Sequence, residues 1–245
     1  MLRAYCEKLK EFYNTSDGLP ENPKNFDWRC PACKERLMHV NKSYNNRIEH
    51  FRHFSKNKCY NYEPETKEHL LMKDYCYRAL LNNNPVKRQL EYIIGDQIID
   101  VFFELETGEK IAIECQCSSI SVEKLLERTK KYEEKGFYTL WILGSEGSIT
   151  GKYKSNVYYP RKSDGKVKKV TAVEKALHEI YGRVYYFDTT GYISPYSWHI
   201  YSLGFSDYKG ENYRILKNSK WVKKLDDFTS KIICMDYTHL IYIYL

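Results

Sequence analysis

Residues 97–117 constrain the chain most. "QIIDVFFEL" (97–105) and "KIAIECQC" (110–117) are rich in β-branched and aromatic residues and flank "ETGE", so they read as two strands of a hairpin. A three-residue loop Glu106-Thr107-Gly108 puts Gly108 where a positive φ is wanted and pairs Leu105 with Glu109. Counting back along both strands sets Asp100 opposite Glu114, with Cβ atoms expected about 4.5–5.5 Å apart. Alternate residues share a face, so Ile111, Ile113, Cys115 and Cys117 line an apolar side and read as core. Ala112, Glu114, Gln116 and Ser118 line the other.

Two carboxylates so placed repel each other. A divalent cation bound by oxygen ligands would relieve this, and Mg2+ or Mn2+ suits such a set. A solvated sheet face would tolerate the same pair without metal, and geometry alone leaves both readings open. The preceding segment, "ETKEHLLMKDYCYRALLNN" (65–83), reads as a helix with Leu70, Tyr77, Leu80 and Leu81 on its apolar stripe. Glu65, His69 and Lys73 recur every fourth residue and stack on one face, with Glu68 beside them. Leading into the carboxylate strands, this face favours the metal reading. A His and a Lys near a metal-bound phosphate can orient water or offset charge.

A strand over 86–94 precedes the hairpin. A helix over 121–135 follows it, with Ser121 as N-cap and Gly136 as stop, and then a buried strand over 137–143. The order is α-β-β-β-α-β. Further on, "TAVEKALHEIY" reads as a helix and "RVYYFD" as a strand.

Upstream, "CPAC" supplies Cys30 and Cys33, and "HFRHFSKNKC" supplies His50, His53 and Cys59. Eight cysteines in a chain with no secretory h-region read as local metal ligands or buried thiols, not as a disulfide framework. Two thiolates on a tight turn plus a distant His and Cys close a tetrahedral zinc shell. The chosen set is Cys30, Cys33, His53 and Cys59, with His50 as the alternative. A shell with no open position is structural, and a short, aperiodic segment benefits from such a staple.

The longest apolar runs, such as "LIYIYL", are too short to span a bilayer. The expectation is a cytoplasmic chain with no membrane partner. A net charge of +7 suits a polyanion partner. The stretch 152–169 interleaves Lys152, Lys154, Arg161, Lys162, Lys166, Lys168 and Lys169 with Tyr153, Tyr158 and Tyr159, as a hairpin turning at Asp164-Gly165. That pattern suits phosphate contact and base stacking, while the tyrosines could equally pack beneath the hairpin.

Together, "CPAC…HFRH…C", "ETKEHLLMK", "IIDVFF", "IAIECQCSSIS" and "ERTKKYEEKGFYTLWIL" resemble the CoiA-like competence nucleases of the restriction-endonuclease-like, PD-(D/E)xK superfamily. The resemblance covers roughly residues 28–143. It implies a restriction-endonuclease-like α-β-β-β-α-β core (65–150), with an N-terminal zinc-binding module (1–64) and a mixed, partly basic C-terminal extension (151–245). It implies a metal-dependent nuclease acting on single- or double-stranded DNA, with RNA left open, in which Asp100 and Glu114 are metal ligands. His69, Lys73 and Glu65 match the helix motif. Arg128 and Tyr132 match the next helix, where they position the site or touch phosphates. Gln116 stands where most of the superfamily has lysine. An amide cannot act as a base, so it positions water. Gln97 occupies a place where a basic residue is expected. The alternative is a DNA-binding accessory of uptake, recombination or defence whose nuclease core is weak or silent.

Overall fold

The computed structural model describes residues 1–41, 48–54, 59, 65–79, 81, 84–144, 172–181, 185–187, 232–235 and 241–244. These form a mixed α/β structure with two five-stranded sheets and three α-helices among the described residues.

The first sheet comes from the Cys- and His-rich N-terminal region. Its strands are β1 (Arg3–Cys6), β2 (Glu11–Asn14), β3 (Trp28–Arg29), β4 (Arg36–Val40) and β5 (His50–His53), in the order β2-β1-β3-β4-β5, all antiparallel. The sequence reading missed this sheet. Strands of two to five residues are too short for alternation to show. The region also has a core of its own, contrary to expectation: Ala4, Cys6, Trp28, Leu37 and Phe51 are buried together, with the Trp28 and Phe51 ring centroids 4.9 Å apart. This sheet is tied to the second one. Leu2 is buried in the larger core, and Asp17 accepts from Tyr77 Oη at 2.7 Å and pairs with Arg88 Nη2 at 2.9 Å.

The second sheet has the order β10-β9-β8-β7-β6, built from β6 (Lys87–Ile94), β7 (Gln97–Glu104), β8 (Lys110–Gln116), β9 (Phe137–Gly144) and β10 (Tyr185–Phe187). The β6, β7 and β8 pairs are antiparallel, while β8–β9 and β9–β10 are parallel. Helix α1 (Lys67–Ala79) precedes β6, and α2 (Val122–Glu133) bridges β8 and β9. Ser121 caps α2 by accepting from Lys124 N at 3.3 Å, as its sequence position predicts. The β7–β8 turn also follows the sequence: Leu105 N donates to Glu109 O at 3.0 Å, and Gly108 has φ of 92°. Helix α1 is described as far as Ala79, and Leu81 is exposed rather than part of an apolar stripe. Helix α3 (Ala172–Tyr181) leads to β10, and β11 (Ile232–Met235) pairs with β12 (Ile241–Tyr244). No helix among the described residues is long and apolar enough to cross a membrane.

Strand β8 divides the second core. Ile111, Ile113 and Cys115 pack with Leu70, Met72, Cys76 and Tyr77 of α1, and Cys117 joins them. Ala112 packs with Ile99, Phe102, Tyr132 and Phe137. The two cysteines are buried, as strand periodicity predicts.

Candidate active site and metal centre

Regular pairing breaks where the site is built. The β7–β8 ladder runs from Glu104↔Lys110 to Val101↔Ile113 and includes no Asp100↔Glu114 rung. Asp100 Oδ2 instead accepts from Cys115 N at 2.9 Å. The expected cross-strand rung is thus replaced by a side-chain contact. The Asp100 carboxylate takes the Cys115 amide. On the other side of β7, the β6–β7 ladder passes from Leu90↔Val101 to Tyr92↔Ile99 and skips Glu91. Glu91 has φ of 51°, a left-handed conformation uncommon for a residue with a side chain. The inversion changes faces: Leu90 and Val101 pack in the α1 cluster, whereas Tyr92 and Ile99 pack with Tyr132. In an unbroken strand, residues two apart would share a face.

Two charge clusters result. The first gathers around Lys73, whose ammonium is almost wholly out of water. It is bonded to Glu65, lies 2.8 Å from Glu91 Oε1 and 3.9 Å from Asp100 Oδ1. Burial alone would lower Lys73, but Glu65, Glu91 and Asp100 outweigh it and hold the ammonium charged, well above its ordinary range. His69 Nε2 lies 3.1 Å from Asp100 Oδ2, and His69 Nδ1 lies 3.7 Å from Glu65 Oε1. Burial lowers His69, and the neighbouring Asp100 carboxylate reverses this to a net rise. Burial would raise Asp100, yet His69 and Lys73 bring it down to about 2. Glu65 precedes the first turn of α1, but its carboxylate still reaches His69 and Lys73.

The second cluster surrounds Glu114, which is 1% exposed. Tyr132 Oη donates to Glu114 Oε1 at 2.7 Å, and Arg128 Nη2 lies 2.9 Å from Glu114 Oε2. Burial pushes Glu114 up to about 8. Arg128 opposes the rise and Asp100 adds to it, so the two carboxylates lie close enough to feel each other. Arg128 also donates to Ile98 O at 2.9 Å and to Tyr132 Oη at 3.1 Å. Tyr132 is fully buried, with its hydroxyl bonded to Glu114. Gln116 Nε2 donates to Ser118 O and Oγ at 2.9 and 3.0 Å.

The sequence reading missed Glu91. Its carboxylate accepts from Lys73 and from Leu2 N at 2.7 Å. A glutamate inside the apolar run "QLEYII" was the available signal. The basic segment with Lys152, Lys154, Arg161, Lys162, Lys166, Lys168 and Lys169 lies outside the described residues.

The N-terminal sheet carries a separate donor group. Cys30, Cys33, His53 and Cys59 bring four ligand atoms within 4.8 Å of one another, with Cys33 Sγ 3.3 Å from His53 Nε2. The turn is made by Lys34, with φ of 63°, whose amide bonds Cys30 O at 3.0 Å. Three thiols and an imidazole so gathered could bind zinc. Burial lowers His53, which favours the neutral, ligating ring. His50 is not in this group, and its Nδ1 is bonded to Ile48 O at 2.8 Å.

Residues 65–166, which contain both charge clusters, match the family model described as "Competence protein CoiA, nuclease-like domain". This segment is similar to the CoiA nuclease-like domain. Helix α1, the Asp100–Glu114 hairpin and α2 all lie inside it. The Cys3His group lies N-terminal to the CoiA match. No curated protein matches the chain. A solved structure described as "Structure of EndoMS-dsDNA2 complex" is similar over 53% of this chain at 14% identity, with a TM-score of 0.24. The chain spans 62% of that one.

Proposed function

We propose that the CoiA nuclease-like domain is a restriction-endonuclease-like core of PD-(D/E)xK type, a metal-dependent nuclease that hydrolyses DNA phosphodiester bonds. The observation that carries this is the placement of the buried Glu114 and the partly buried Asp100 on adjoining strands, with His69 and Lys73 beside Asp100 and Arg128 beside Glu114. Two hard oxygen donors that feel each other's charge fit Mg2+ or Mn2+. Such an ion, held by Asp100 and Glu114, would polarise a phosphate oxygen and acidify a water.

The protein's residues have distinct parts. Lys73, enclosed by three carboxylates, keeps its proton and fixes Asp100 electrostatically. His69 is less enclosed and is the better carrier of a proton to or from solvent. Gln116 orients the attacking water with its amide, which cannot take a proton. Arg128 and Tyr132 hold Glu114. Zinc on Cys30, Cys33, His53 and Cys59 staples an N-terminal module (1–64) internally, beside the core (65–150), and residues 151–245 extend that core. The chain acts in the cytoplasm.

One observation favours a second reading, a DNA-binding accessory with a weak or silent core. Both Glu114 oxygens are already engaged, by Tyr132 and by Arg128. The test is incubation with single- and double-stranded DNA and Mg2+ or Mn2+, beside Glu114→Ala. Metal-dependent cleavage lost in the variant supports the nuclease. Retained DNA binding with no cleavage under any condition supports the accessory.

A further inference from the structure

The N-terminal sheet holds a cavity of about 210 Å3 that the nuclease chemistry does not use. It lies between the short 3-10 turn at Pro23–Asn25 and strand β4, and Lys24, Phe26, Trp28, Arg36, His39 and Phe54 contribute to its lining. This is below the ~300–1,000 Å3 of sites for larger small molecules and cofactors. It has room for a single planar heterocycle.

Its walls are aromatic and its rim cationic. Phe54 is 62% exposed, an open ring beside the cavity. The Arg36 guanidinium lies 5.9 Å from the Phe54 centroid, and Lys8 Nζ lies 5.6 Å from that of Phe26. Phe26 and Trp28 are in ring contact at 5.8 Å. Among the described residues no carboxylate lines the cavity. Asp27 pairs with Arg36 Nε at 3.2 Å, but also with Arg29 Nη2 at 2.7 Å, so one acid answers two guanidinium groups.

We propose that this cavity is a base-stacking subsite for single-stranded nucleic acid. One unpaired nucleobase lies against Phe54 and Phe26, and Lys24 and Arg36 take the flanking phosphates. Aromatic faces beside cations are the recognition chemistry of single-stranded nucleic acid, because every base has a π-face and every linkage a charge. The proposal takes its ligand class from the nuclease reading but uses none of the catalytic residues.

The test measures binding of fluorescein-labelled dT12, and of the same oligomer with its bases removed to abasic sites, to the full chain without added Mg2+ or Mn2+. Wild type is expected to bind dT12 about tenfold more tightly than the abasic oligomer. Phe54→Ala should lose that preference while its affinity for the abasic oligomer stays the same, and Phe54→Trp should restore it. Zinc content and melting temperature, compared across the three proteins, show that the exposed site tolerates substitution. The proposal is overturned if Phe54→Ala binds dT12 as wild type does, or if wild type does not distinguish the two oligomers. A failed nuclease reading would appear elsewhere, as no DNA cleavage under any condition or as cleavage that does not depend on Glu114, and would leave this comparison intact.

Discussion

Lys73 Nζ donates to Glu91 Oε1 at 2.8 Å, and both side chains are shielded from water. The same Glu91 oxygen accepts from Leu2 N at 2.7 Å, so one carboxylate joins α1, β6 and the start of the N-terminal sheet. The left-handed backbone of Glu91 turns this side chain away from the face that regular alternation would give it. Strain of this kind persists only where surrounding contacts over-determine it.

Glu91→Ala is therefore expected to be among the most damaging single changes in the core. It leaves a buried ammonium and a buried amide short of an acceptor, and breaking a buried ion pair costs about 3–5 kcal/mol. Glu91→Gln keeps an acceptor for the Leu2 amide and should cost less. Urea unfolding of the two variants checks the order. Equal midpoints would show that the acceptor kept by glutamine contributes nothing and that the lost charge accounts for the whole effect.

Arg128 and a divalent cation would compete for Glu114 Oε2, which Arg128 holds at 2.9 Å. Arg128→Ala should lower stability without metal, because Glu114 loses its counter-charge in a buried place. It should also enlarge the rise in Tm that Mg2+ or Mn2+ produces, since the ion then meets an unpaired carboxylate. Thermal unfolding across a metal titration reads both effects. A metal-induced shift no larger than that of wild type would argue against Glu114 as a ligand.

Much of this arrangement was legible in the chain because its signals are local. Gly108 announces the β7–β8 turn, Ser121 announces α2, and the spacing of Cys30, Cys33, His53 and Cys59 picks out the four donors that converge. The inversion at Glu91 was not legible. Its cause is long-range: Lys73 lies 18 residues away and Leu2 lies 89. The exchange of the Asp100–Glu114 rung for an Asp100–Cys115 bond was hidden for a related reason. Register counting assumes an unbroken ladder, and the charges that break it come from α1. Strands β1 and β2 escaped notice because four-residue segments carry no usable period.

Zinc removal should unfold the N-terminal sheet before the nuclease-like core. The four donors come from the turn after β3, from β5 and from residue 59, so the ion would fasten together segments far apart in sequence. Elemental analysis is expected to give one zinc per chain, and Cys59→Ser should retain less. A strong chelator should lower Tm in wild type. An unchanged Tm after complete zinc loss would make the site dispensable to the fold.

Gly144 ends β9 where it passes between α1 and the end of the hairpin. A Cβ there would lie 2.9 Å from Cys117 Sγ and 3.0 Å from Glu68 Cδ and Oε1, closer than ordinary contacts allow. Neither neighbour retreats easily. Cys117 is buried with its sulfur 3.1 Å from Met72 Sδ, and Glu68 is buried on α1. Gly144→Ala is thus expected to destabilise by about 1–3 kcal/mol, as overpacking in cores does. The cause can be isolated with Cys117→Ala, which removes the nearest atom. If the sulfur contact dominates, Gly144→Ala should cost less in the Cys117→Ala background than in wild type, a non-additivity expected of residues in contact. Strict additivity would place the strain on Glu68 instead, and hence on the helix that carries His69 and Lys73.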